Sequence, residues 1–149
     1  LIAQNKVSPS LSSLTKVLDG IPISLADFFT LDATNLQSDS PFYRKEDLID
    51  VGNGEIHYFL IGQNKPQRQM CILREVMPPG TDTGKSMLQH EGEEGGVIIQ
   101  GEIELTVGDQ SRILGPGDAY YFESKTPHRF RNISKQEAIL VSANTPATF

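Results

Sequence analysis

The stretch GTDTGKSMLQHEGEEGGVIIQG (residues 80–101) sets two ligand-type side chains, His90 and Glu94, either side of a glycine in otherwise strand-like text. On an unbroken strand, positions four apart lie about 13 Å from each other. One ion held at about 2 Å from each donor does not span that gap. Gly92 changes the geometry, because glycine accepts backbone angles closed to other residues and lets the chain turn between two strands. His90 then ends one strand and Glu94 begins the next, both facing inward. A second stretch, GPGDAYYFESKTPHRFRN (115–132), places His128 after Pro127 at the entry to a later strand. Two imidazoles and one carboxylate form the facial triad that suits non-haem Fe(II), and the same set can hold Zn, Mn or Ni.

Outward from these stretches, the text from Asp47 onward reads as short strands with turns between them. The candidates are Leu48–Val51, Ile56–Ile61, Met70–Val76, Gly96–Ile99, Ile103–Val107, Ser111–Leu114, Ala119–Phe122, His128–Asn132 and Ala138–Ser142. Ile103, Leu105 and Val107 alternate with Glu102, Glu104 and Thr106, which gives one apolar and one wet face. Gly108-Asp109 then makes a tight hairpin. Many short strands with glycine and proline turns predict a mainly β fold, a sandwich or barrel.

The first part of the chain reads differently. Ser8-Pro9-Ser10 offers hydroxyl caps, and Leu11, Leu14, Val17 and Leu18 recur at helix spacing until Gly20. A second short helix starts at Ser24, with Leu25, Phe28 and Phe29 on its apolar side. Thr30 to Glu46 is polar and broken by Pro41, as a linker is. Residues 1–33 are therefore expected to be a helical remnant, 34–46 a linker and 47–149 the β domain. The chain begins at Leu1 rather than methionine, and we expect a fragment of a longer protein.

The net charge is −6, and the only basic excess lies in residues 1–20, where Lys6 and Lys16 face Asp19. The β domain is thus acidic and would repel phosphates, so any contact with DNA is expected from the N-terminal segment. No run approaches the roughly 20 apolar residues of a membrane span, and no signal-peptide pattern is present. The single cysteine, Cys71, allows no internal disulfide. A cytoplasmic protein with no membrane partner is the expectation.

The two quoted stretches resemble the paired motifs of the cupin family, with Glu94 seven residues before Gly101 and His128 four before Asn132. The resemblance implies a double-stranded β-helix, the cupin or jelly-roll barrel, with His90, Glu94 and His128 as metal ligands. The family pattern has a further histidine two positions before His90, and Leu88 stands there instead. Residues 5–29, NKVSPSLSSLTKVLDGIPISLADFF, resemble the end of a helix-turn-helix domain of the xenobiotic-response-element type. In that order, helix-turn-helix, linker and cupin, the chain resembles the cupin-sensor transcription regulators. That resemblance implies operator DNA as a partner, a homodimer reading two half-sites, and a small effector such as an amine or amino acid in the barrel. Lys6, Ser8 and Ser10 would then touch DNA phosphates in an intact protein. An epoxidase using mononuclear iron has the same two-part build, and a mononuclear metal enzyme, an oxygenase or epoxidase, is the alternative.

Several residues admit two readings. His90, Glu94 and His128 are either metal ligands or a hydrogen-bonded polar cluster that a ligand completes. Tyr120 and Phe130 are expected to line the effector pocket, although aromatics in strands often simply pack. Alternation sends Tyr120 and Phe122 to one face and Tyr121 to the other. Glu91 and Glu93 read as a solvated turn. Arg74, in the apolar run CILREVM, either meets an anion inside the barrel or points outward. Cys71 reads as core and His57 as an ordinary strand residue.

Overall fold

The computed structural model describes residues 40–147, so the expected N-terminal helices, with Lys6, Ser8 and Ser10, lie outside the described residues. A single 3₁₀ turn, Lys45–Asp47, precedes β1 (Ile49–Asp50), β2 (His57–Ile61) and β3 (Cys71–Met77). Then come β4 (Glu93–Gln100), β5 (Ile103–Val107), β6 (Gln110–Leu114), β7 (Ala119–Glu123), β8 (His128–Arg131) and β9 (Ala138–Thr145). They form a six-stranded sheet in the order β1-β2-β3-β9-β4-β7 and a three-stranded sheet in the order β6-β5-β8. Every pairing is antiparallel. These two antiparallel sheets are the mainly β architecture that the strand pattern predicts, and they agree with the barrel that the cupin resemblance implies.

Period-two alternation explains which side chains enter the barrel. On β9, Ala138, Leu140, Ser142 and Asn144 are all buried, while the residues between them are not. On β3, Cys71, Leu73 and Glu75 are buried and face the same way. The core is therefore apolar around Leu60, Leu73, Met77, Ile98, Ile103 and Leu140, and turns polar toward Ser142 and Asn144. Fully burying each large aliphatic side chain contributes roughly 1.5–3 kcal/mol, and this holds the barrel closed around the polar end.

Most strand ends differ from expectation by one to three residues, and two departures bear on the site. The strand expected over 96–99 begins at Glu93 and so already carries Glu94. Residues 80–90 form no continuous strand; they track β8 through isolated bridges, Asp82 to Arg131 and Leu88 to His128. His90 therefore ends no strand, although its amide donates to the Ser124 carbonyl at 3.0 Å. Pro78, Pro79, Gly80 and Gly84 interrupt regular pairing there. The hairpin at Gly108-Asp109 joins β5 and β6 as expected.

Arg74 resolves to the outer face, its guanidinium 4.6 Å from the Phe59 ring centroid. Tyr121 is turned out and 71% exposed, whereas Phe122 is buried. His57 pairs with Asp50 at 2.7 Å on the surface. Burial pushes the Cys71 thiol up to about 12, so it packs as a small hydrophobe.

Candidate functional site

The turn that builds the site is at Gly92. Its φ is +99°, a conformation that side chains disfavour. A Cβ there would sit 1.8 Å from the Thr145 carbonyl oxygen. The bend lets residues 90 and 94, one either side of it, aim at a common point. Glu94 enters from β4 and His128 from β8, across the barrel.

The three side chains do converge. Glu94 Oε1 lies 3.8 Å from His90 Nε2 and 3.9 Å from His128 Nε2. One ligand atom from each falls within 4.8 Å of the other two. The imidazoles meet edge to face, with ring centroids 5.2 Å apart. His128 is fully buried, and Phe122 and Phe130 wall it in.

The donor set fits a divalent cation. His128 Nδ1 bonds the Thr126 carbonyl at 2.8 Å and so carries the proton, which leaves the lone pair on Nε2. That Nε2 is buried and has no hydrogen-bond partner among the described residues. An orphaned acceptor aimed at a carboxylate and a second imidazole is the state a metal ion resolves. Ligands about 2 Å from one ion stand roughly 3–3.4 Å apart, so the two carboxylate–imidazole gaps need to close by less than about 1 Å and the widest gap, within 4.8 Å, by up to about 1.8 Å. Such an ion, when bound, polarises an oxygen ligand or a bound water. Leu88 occupies the place of a fourth donor and lines the cavity instead.

Burial sets the protonation states. It pushes the Glu94 carboxyl up to about 8, the nearby Glu75 adds to the rise, and the Tyr120 hydroxyl opposes it. Burial lowers both histidines, partly offset by hydrogen bonds with the backbone of Glu91 for His90 and of Thr126 for His128. Neutral imidazoles are the metal-binding form.

Tyr120 and Phe130 both lie beside the triad, and Phe130 lines the cavity there. The Tyr120 hydroxyl donates to Glu94 Oε2 at 3.3 Å, and its ring meets Phe130 edge to face. Gly96 makes this possible, because a Cβ there would lie 2.6 Å from the Tyr120 oxygen. Glu91 is exposed on the turn, whereas Glu93, expected there too, is exposed at the first position of β4. Sequence reasoning missed Glu75, Ser142, Asn144 and Tyr58, which bring polar groups to the same interior. Glu75 is buried, accepts a 2.5 Å hydrogen bond from Ser142, and is pushed up to about 7 by burial. Its placement was readable, since it shares the inward face of Cys71 and Leu73.

Residues 73–144 match the Cupin domain family. The chain is 35% identical over 99% of its length to the HTH-type transcriptional regulator PuuR of Escherichia coli, covering 79% of that protein. Among solved structures, the cupin domain of an XRE family transcriptional regulator from Enterobacter cloacae superposes with a TM-score of 0.55 at 21% identity. The match covers 62% of this chain and 97% of that one. A cupin-superfamily sugar phosphate isomerase from Silicibacter pomeroyi gives a TM-score of 0.60 at 17% identity, over 72% and 76% of the two chains. The fold and site thus define a cupin-domain protein. More particularly, the chain belongs to the family of cupin-containing HTH-type transcriptional regulators to which PuuR belongs.

Proposed function

We propose that this chain is the sensing part of a ligand-responsive transcription regulator. Its cupin barrel, residues 47–149, binds a small amine or amino acid, and the occupied barrel changes how a homodimer's helix-turn-helix segments, residues 1–33 here, grip operator DNA. Lys6, Ser8 and Ser10 contact phosphates in this reading, which places the protein in the cytoplasm. His90, Glu94 and His128 hold a divalent metal (Fe, Zn, Mn or Ni) at the base of the pocket, with Tyr120 and Phe130 beside the effector. The observation that carries the proposal is the convergence of the half-buried His90 with the buried Glu94 and His128, the Nε2 of His128 lacking a hydrogen-bond partner among the described residues, inside a chain of regulator ancestry. Coupling follows if the effector binds one arrangement of the dimer better than another.

Fluorescence anisotropy of the full-length protein on its operator, with amines and amino acids added, tests the reading. A shift of at least about tenfold in operator affinity is expected, a coupling of about 1.4 kcal/mol. No shift with any compound removes the sensor role. The alternative, a mononuclear metal oxygenase or isomerase, draws on the open coordination positions that three protein ligands leave. It requires stoichiometric metal, and absence of metal after anaerobic iron loading removes it.

A further inference from the structure

Glu75 is a second carboxylate in the barrel interior, and nothing in the triad uses it. It is 5% exposed, and its one hydrogen-bond partner among the described residues is the Ser142 hydroxyl. It lines an interior cavity of about 20 Å³ together with Tyr58, Glu94, Phe130 and Asn144. Neither the Asn144 amide, in a residue 6% exposed, nor the hydroxyl of Tyr58, 4% exposed, makes a hydrogen bond to any described residue. Among the described residues no lysine or arginine lines this cavity. Two carboxylates, an amide and a phenol, all nine-tenths buried and short of donors, form a surface that a cationic donor satisfies.

The volume narrows the choice. A cavity of about 20 Å³ holds a group the size of a water molecule and no larger organic body. An ammonium group is that size and carries three hydrogen-bond donors and no acceptor. Tyr58 and Thr83 belong both to this cavity and to an open cleft of about 390 Å³ flanked by Ile56, Thr81 and Asp82.

We propose that Glu75, Asn144 and the Tyr58 hydroxyl receive the primary ammonium group of the effector, whose remaining atoms lie in the cleft beyond Tyr58 and Thr83. Glu75 supplies the opposite charge, and Ser142 holds its carboxylate in place. Asn144 and Tyr58 accept the two remaining protons. This subsite adjoins the metal triad, whose Glu94 lines the same cavity, but its three acceptors lie outside the triad; it rests on the reading that the barrel binds an amine or amino acid.

The test is calorimetric titration of the protein at pH 8 with n-butylammonium and, as the uncharged isostere, 1-butanol. Butylammonium is expected to bind, and 1-butanol at least about tenfold more weakly. Glu75→Gln is expected to weaken butylammonium about 10- to 100-fold, as loss of a charged hydrogen-bond partner does. Asn144→Leu gives a second loss, and thermal unfolding of each variant confirms that it is folded. Equal binding by Glu75→Gln and the parent overturns the subsite while leaving effector binding intact. Equal binding of the two probes, or none of butylammonium, also overturns it, and the operator titration then decides the sensor role separately. If Glu75→Gln abolishes zinc binding as well, Glu75 belongs to the metal centre and the proposal fails.

Discussion

A Cβ at position 92 would lie 1.8 Å from the carbonyl oxygen of Thr145, the residue that pairs with Glu93 at the start of β4. The strand that carries Asn144 thus closes directly over the bend between His90 and Glu94, and only glycine leaves room for it. Backbone fixes the bend, and the bend fixes the site.

Gly92→Ala is therefore expected to destabilise the fold and to spread His90 from Glu94. The left-handed φ alone costs about 1–3 kcal/mol in a residue with a side chain, and the clash with backbone adds to it. A fall of several degrees or more in the thermal midpoint is the expected result. An unchanged midpoint would mean that the bend is looser than the close approach to Thr145 requires.

Much of this was legible before any coordinates. The alternation in β5 and the glycine turns announced a barrel, and the paired stretches around His90 and His128 announced which residues would meet. Glu75 was missed because a charge in an apolar run reads as an outward residue. The strand period placed it inward, and only the pairing with Ser142 gives that position a physical reason. The irregular path of residues 80–90 was hidden for another reason: isolated bridges leave no periodic trace, since the hydrogen bonds to β8 are spaced by loop residues.

The interior carboxyl of Glu75 makes stability pH-dependent. Its proton is held up to about 7 in the folded chain, against an ordinary value of 4.5. Below that ordinary value the carboxyl is neutral both folded and unfolded, and its favourable share of stability is complete. As pH rises toward 7 the unfolded chain releases the proton more readily, so stability falls, by about 3 kcal/mol at most. His90 and His128 run in the opposite sense, so comparison with a variant isolates Glu75. Urea unfolding of metal-free protein at pH 5 and pH 8 is expected to show Glu75→Gln gaining on the parent at the higher pH. Parallel pH dependences for the two proteins would remove the buried-carboxyl account.

Metal binding should depend on the same interior. Glu94 holds its proton up to about 8 in the metal-free state, so an arriving cation must displace it. Zinc affinity is accordingly expected to rise with pH up to about 8 and then level off. A saturating metal at about 100 times its dissociation constant would stabilise the fold by about 2.7 kcal/mol, and a chelator would reverse it. Titration followed by thermal unfolding measures both. Affinity that is flat from pH 6 to 8 would mean that Glu94 is not a ligand.

Tyr120 touches Glu94 through a 3.3 Å hydrogen bond. Tyr120→Phe removes that bond and keeps the ring against Phe130. Zinc affinity is expected to fall about 10-fold, the usual effect of losing a group that orients a ligand, with little change in unfolding. Unaltered affinity would show that the contact does not position the carboxylate.

The most direct test of the central claim is operator affinity of the full-length protein, parent against His128→Ala, titrated with an effector that shifts the parent. The account predicts that the variant still binds operator but loses the effector-dependent shift. A shift of the same size in His128→Ala would contradict it, because the hollow around His128 would then play no part in sensing.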